Sequence, residues 1–263
     1  MKRLFLCFLL FFLLFSVLPL CGLLAPDEEA DVVRKTALAL PKPLEAEAVK
    51  AHAVAVRTKI RSGAAAPDSS EEDAVLRFGA VEYERIRRLC RQTEGEILTT
   101  DENPIIPVWH LVNSGQTESA ANISYLASVP SPGDTESVYA ETERSYTGEE
   151  LELLLKSGLP DWKPGTTVSG LVRTASGRVR QATVGNRTVS GKELQQILQL
   201  PSDCFLLFPA SDGGVRILCR GIGDGLGMSQ IGADFMAKRG YSYQEILTYY
   251  YTDVHIAQTV RSQ

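Results

Sequence analysis

Between Gly221 and Gly227 every second residue is glycine, GIGDGLG, and the helical pattern MSQIGADFMAKR follows at once. Alternate positions without side chains leave the backbone free to approach another segment or a ligand closely, or to turn through positive φ. The spacing is neither G-x-x-x-x-G-K nor G-x-G-x-x-G, which argues against a phosphate cradle. A strained turn leading into a helix and a loop that touches a ligand both remain open.

The other end of the chain carries the next constraint. Lys2 and Arg3 precede Leu4 to Leu24, which holds no charge and is broken only by Ser16, Pro19 and Gly22. As a helix at about 1.5 Å per residue this run spans roughly 31 Å, enough to cross a hydrocarbon core. Basic residues placed first keep the N-terminus in the cytoplasm and send the rest outside. A cleaved signal peptide is the rival reading, but the best cleavage site, after Ala25, has Leu23 two positions earlier and Pro26 directly after it. Residues 1–25 are therefore expected to be a single-pass membrane anchor, 26–37 a polar linker and 38–258 an extracytoplasmic domain.

A content of 44% apolar and 22% charged residues suits a globular chain rather than a disordered one. With 27 basic against 32 acidic residues and no long basic stretch, nucleic acid is not an expected partner.

From Leu44 to Ile60, Val49, Ala53, Val56 and Ile60 recur at helical spacing. Alanines cover most of the remaining surface, so the helix is expected to be buried. A loop, Ser62 to Ser70, leads to a second expected helix, Glu71 to Arg91. Beyond Thr93 the texture becomes β-like. Strands are expected at Ile105–Leu111, Val168–Val172, Arg178–Val184 and Arg187–Ser190, the last two joined by a Gly185-Asn186 turn. Short helices fit Thr147–Ser157 and Lys192–Leu200. CFLLFPASDGGVRILC reads as a hairpin around Ser211 to Gly214. Helical pattern returns at Met228–Arg239 and Ser242–Tyr251. Without regular βαβ alternation the fold class is α+β, one compact domain.

Cys7 and Cys21 fall in the apolar run, leaving Cys90, Cys204 and Cys219. Antiparallel pairing of the hairpin arms with index sums near 423 would bring Cys204 opposite Cys219, so a disulfide is expected there and Cys90 is expected free.

The stretch from 221 to 251 closely resembles the C-terminal signature of the stage II sporulation protein D (SpoIID) and LytB amidase-enhancer family. Gly223, Gly225, Gly227, Met228, Ser229, Gln230, Gly232, Ala233, Met236, Ala237, Gly240, Tyr243, Glu245, Ile246 and Leu247 match it in order. EAVKAHAVAVRT, Glu47 to Thr58, resembles the family helix E-A-L-K-A-Q-A-V-A-A-R-T. Thr93-Glu94-Gly95, Pro104-Ile105, His110 with Ser114, Gly115, Thr117 and Glu118, residues 125–134 and residues 176–179 agree as well. The likeness covers about residues 38 to 256.

The resemblance implies a protein that handles the glycan of peptidoglycan, either as a lytic transglycosylase or as an assistant to a wall amidase, with no cofactor. It places Lys50, Arg57, His110, Ser114, Gly115, Gly225, Gly227, Ser229 and Gln230 around a glycan cleft walled by the glycine loop, the Glu47 helix and the His110 segment. A transglycosylase needs one carboxyl group to protonate the glycosidic oxygen and then deprotonate a sugar hydroxyl. The family supplies it from a Glu in an E-M-P triplet eight residues before the helix; the matching position is Ala39, in Ala39-Leu40-Pro41. Asp224 stands where the family has His. Two readings stay open: a wall-binding protein that lost its acid, and an active enzyme using Asp224 or another carboxylate such as Glu45 or Glu47. Some relatives are thought to hold zinc in this region, but the position five before His110 is Ile105, so no metal is expected. His52 is expected to be a hydrogen-bonded spacer, and Trp109 and Tyr249 to Tyr251 to be core.

Overall fold

The computed structural model describes residues 28–64, 70–161, 163, 168–211 and 213–259. The apolar run Leu4 to Leu24, with Cys7 and Cys21, lies outside these residues. Among the described residues no helix is long and apolar enough to cross a membrane.

The first described element corrects the linker. Helix α1, Glu28–Ala39, buries Val32, Val33, Thr36 and Ala37. The polar residues that suggested a tether are its outer face: Asp31 pairs with Arg34 and Lys35, while Glu29 reaches inward to Arg57. Helix α2, Ala46–Arg61, is hidden almost all round, with every residue from Ala51 to Thr58 buried. Alanine at positions 48, 51, 53 and 55 lets neighbouring helices close in from several sides.

The expected single helix from Glu71 to Arg91 is two, α3 (Glu71–Phe78) and α4 (Ala80–Arg91). Gly79 between them has φ 77° and ψ 157°, a conformation essentially closed to residues with a Cβ. Strand β1 (Glu96–Thr100) pairs antiparallel with β2 (Asn103–Pro104) on one side. On its other side lies the last strand among the described residues, β11 (His255–Gln258). The expected strand Ile105–Leu111 shrinks to β3 (Trp109–His110). It runs parallel to β10 (Met228–Ser229), which opens helix α7 (Gln230–Lys238). Helix α8 (Tyr243–Tyr250) follows, started by a capping box in which Ser242 and Glu245 satisfy each other's backbone N–H groups.

Between Ala140 and Gly221 the chain leaves the helical core and builds a second lobe. Strand β4 (Glu141–Tyr146) pairs with β9 (Val215–Arg220), which pairs with β8 (Phe205–Pro209). A meander of β5 (Val168–Arg173), β6 (Val179–Val184) and β7 (Arg187–Ser190) forms a second sheet. Its Gly185-Asn186 turn joins the paired residues Val184 and Arg187, as expected. Helices α5 (Gly148–Gly158) and α6 (Gly191–Ile197) cover this lobe. Each lobe has its own apolar core. One gathers α1, α2, α4, α8 and Met228; the other gathers Leu155, Leu159, Val179, Leu194, Phe205 and Ile217. The α+β class holds, and the compact fold is a helical lobe with a β-rich lobe inserted.

The hairpin register overturns the disulfide. Phe205, not Cys204, lies opposite Cys219, so paired indices sum to 424. Cys204 is one step away, its carbonyl accepting from Arg220 N at 2.7 Å. Successive strand residues point to opposite faces, so one step of register separates the two thiols. Cys90, Cys204 and Cys219 are all free and buried.

Candidate functional site

The glycines do what their spacing allowed: they lay backbone against backbone. Gly221, Gly223, Gly225 and Gly227 all have positive φ. A Cβ on Gly221 would stand 2.7 Å from the Val112 carbonyl oxygen, and one on Gly223 would stand 2.7 Å from His110 Cβ. On Gly227 it would collide with the Val108 carbonyl oxygen. The loop thus zips against residues 108–113, with Ile222 and Val112 exchanging backbone hydrogen bonds.

His110 fastens this zipper. Its Nδ1 lies 3.0 Å from the Leu226 carbonyl oxygen and its Nε2 lies 3.3 Å from Asn113 Nδ2. A carbonyl only accepts and an amide nitrogen only donates, so Nδ1 carries the proton and Nε2 accepts. Both nitrogens are occupied. Burial, with the nearby Arg178 cation adding to it, lowers the imidazole to about pKa 4 despite the Leu226 bond. At neutral pH His110 is an uncharged brace rather than a wall of an open cleft.

Behind it sits a carboxylate that the sequence did not single out. Asp134 Oδ1 accepts from Ser229 Oγ at 2.7 Å, and Oδ2 accepts from Asn113 N at 3.2 Å. Asp134 is completely buried. That burial raises its pKa to about 6, while Ser229, Ser131 and the Asn113 and Gly232 amides pull the other way. Ser229 also caps α7 by accepting from Gly232 N. Asp134 therefore fixes the start of α7, and with it Gln230.

Gln230 carries the connection to the Ala39 turn. Its Nε2 donates to the Ala39 carbonyl oxygen at 2.7 Å. Asp234, one turn along α7, accepts from Glu45 N at 2.8 Å, and Glu47 accepts from Tyr243 N at 2.9 Å. Ala39 and the N-terminal end of α2 thus adjoin α7, the helix that follows the glycine loop. Glu47 is already engaged, since it also pairs with Lys50.

Arg57 does not join them. It is fully buried, forked onto Glu29 and donating to the carbonyls of Glu96 and Cys90. It ties α1 and α2 to β1. His52 is buried too, with neither ring nitrogen hydrogen-bonded, so it packs as an apolar body, edge-on to Trp109 at 5.8 Å. That corrects the expected hydrogen-bonded spacer. Tyr250 and Tyr251 are core, whereas Tyr249 is exposed.

On the far flank the glycine loop meets the inserted lobe. A Cβ on Gly225 would lie 2.6 Å from Arg178 Cζ, and Arg178 Nη1 donates to the Gly223 carbonyl oxygen at 3.0 Å and to Asp203. Glu118 N donates to the Gly225 carbonyl oxygen, and its carboxylate accepts from Thr174 Oγ1 at 2.7 Å and from Ser176 Oγ. Ser114 Oγ donates to the Ser176 carbonyl oxygen. Gly115, with φ 106°, turns the chain there. Asp224 is exposed on this flank, its Oδ1 accepting from Leu226 N at 3.0 Å.

Fold and site together define an α+β protein in which a backbone-packed glycine loop joins a helical lobe to an inserted β-rich lobe along a polar seam. Stage II sporulation protein D of Bacillus subtilis (strain 168) is 30% identical over a 257-residue alignment covering 88% of this chain and 74% of that protein. Stage II sporulation protein D of Bacillus amyloliquefaciens is 28% identical over the same shares. No family model matches the chain. The chain belongs to the stage II sporulation protein D family and is a sporulation-related protein.

Proposed function

We propose that this protein binds the glycan strands of peptidoglycan outside the cytoplasmic membrane, held there by its apolar N-terminus, and does not itself cleave them. A wall amidase or another sporulation protein then supplies the catalysis beside it. The observation that carries the non-catalytic reading is the Ala39 turn. Gln230, at the start of α7, donates to the Ala39 carbonyl oxygen at 2.7 Å; by the family resemblance position 39 is where the acid is expected, and its methyl group has no proton to give. Three neighbouring carboxylates are committed elsewhere, Glu47 to Lys50 and Tyr243, Asp234 to Glu45 N and Lys238, and Asp134 to Ser229, while Glu45 is exposed.

The test uses the chain from Glu28 onward and denuded glycan strands, with mass spectrometry of the products. Binding without anhydro-ended fragments is expected. Protonating a leaving oxygen contributes roughly 10²- to 10⁴-fold to rate, so Ala39→Glu is expected to bring cleavage above background. Robust cleavage by the unmodified chain refutes the non-catalytic reading. If Asp224→Asn then abolishes that cleavage, the acid lies in the glycine loop.

A further inference from the structure

Helix α1 is clamped at its first turn. Glu28 pairs with Arg61 and Glu29 forks onto Arg57, so the start of α1 meets the last turns of α2. Arg57 also donates to the Cys90 carbonyl oxygen at 3.2 Å, which brings the last turn of α4 to the same place. The chain therefore enters the helical lobe at an end built from the start of α1 and the C-termini of α2 and α4. Val32, Val33 and Ala37 bury the inner face of α1. A packed helix, unlike a tether, holds this end close to whatever precedes it.

The same end carries more basic groups than its carboxylates engage. Arg61 remains 38% exposed beside Glu28. On α4, Arg85 and Arg87 pair with carboxylates. Arg88 and Arg91 are exposed and pair with none among the described residues. Arginines in a last turn offset the helix dipole, and that alone would explain their presence. Their place in the molecule gives them a second use. The apolar run ends at Leu24, four residues before Glu28, and four residues reach at most about 14 Å. With that run in a bilayer, this end lies among the lipid headgroups. A guanidinium there meets phosphate, which it can bind through two parallel hydrogen bonds.

We propose that the helical lobe stands end-on at the membrane, with Arg61, Arg88 and Arg91 against anionic phospholipid headgroups; this rests on the membrane-anchored reading above. Ala39 closes the other end of α1, a helix of 12 residues, which at about 1.5 Å per residue puts it about 18 Å farther from the lipid. The Ala39 turn, with α7 beside it, is thereby held away from the membrane and towards the wall.

The test reconstitutes the full chain into vesicles of phosphatidylcholine, with and without phosphatidylglycerol, and compares amide hydrogen exchange. Flotation with both kinds of vesicle is expected, because an apolar anchor needs no anionic lipid. Phosphatidylglycerol should slow exchange at residues 60–63 and 91–95 by roughly fivefold or more, the equivalent of one arginine held at an anionic surface. Exchange in α7, α8 and the β-rich lobe should not change. Arg88→Gln combined with Arg91→Gln alters exposed positions only, and should remove most of the slowing while flotation persists. Failure to float refutes the anchor and this inference with it. Flotation without the slowing, slowing confined to another face, or slowing that survives the double variant overturns the end-on orientation and leaves the anchor standing.

Discussion

His52 lies at the centre of the helical lobe with both ring nitrogens bare, and burial alone pushes its pKa from 6.5 down to about 3. The folded protein therefore keeps it neutral over a range where the unfolded chain protonates it. Because the folded value is the lower one, the stability it contributes is full above pH 6.5 and is lost as pH falls towards 3. The whole shift, 6.5 to about 3, corresponds to about 5 kcal/mol at 1.36 kcal/mol per pH unit. Between pH 7.5 and pH 5.0 about 2 kcal/mol of that is lost, nearly all from protonation of the unfolded chain. The assay is urea unfolding of the native chain and of His52→Gln, a non-titrating side chain, at both pH values. His110 and Asp134 titrate in both proteins, so their terms cancel in the comparison. His52→Gln is expected to lose about 2 kcal/mol less than the native chain on going to pH 5.0. Equal losses would show that His52 is accessible to protons in the folded state and refute the reasoning.

Two further outcomes follow from the backbone and the thiols. Gly63 and Gly227 both have positive φ, but a Cβ at 63 meets open space while one at 227 meets the Val108 carbonyl. Gly63→Ala should cost roughly 1–2 kcal/mol from conformation alone, and Gly227→Ala at least about 2 kcal/mol more from the collision; similar thermal unfolding of the two variants would contradict the zipper. Cys90, Cys204 and Cys219 should resist a thiol reagent until the protein unfolds, because all three are buried and burial pushes Cys90 up to about pKa 12 and Cys219 upward; an intact mass two hydrogens light would reveal a bridge and reject the register.

What the sequence disclosed is what local rules govern. The alanine-lined helix α2, the Gly185-Asn186 turn and the Ser242 helix start depend on neighbours a few residues away. Failures came where distant partners decide. Residues 28–37 look like a polar tether until Val32 and Val33 are seen to meet α2 and α4. A single index of register, 424 rather than 423, separates Cys204 from Cys219, and no residue in the hairpin announces it. Arg57 carried a family match but serves as a buried strut, because Glu29 arrives from α1. Asp134 and Arg178 were passed over, since their roles arise from partners about a hundred and about twenty-five to forty-five residues away. The glycines signalled the site through what they lack.

The insertion of one lobe within the other has a consequence for the order in which the chain acquires its structure. The strand partners Trp109 and Met228 are far apart along the chain, and β1 must wait for β11. The inserted lobe closes on itself, from Glu141 to Arg220. Once it has formed, Ala140 and Gly221 are neighbours, and the span that β3 and β10 must close falls to about a third. That trims their closure entropy by about 1 kcal/mol. On these grounds the β-rich lobe orders first and acts as a splint for the glycine zipper. In pulsed hydrogen exchange, amides of β8 and β9 should gain protection before those of β1. Protection of β1 first would mean that the helical lobe draws its two distant halves together unaided.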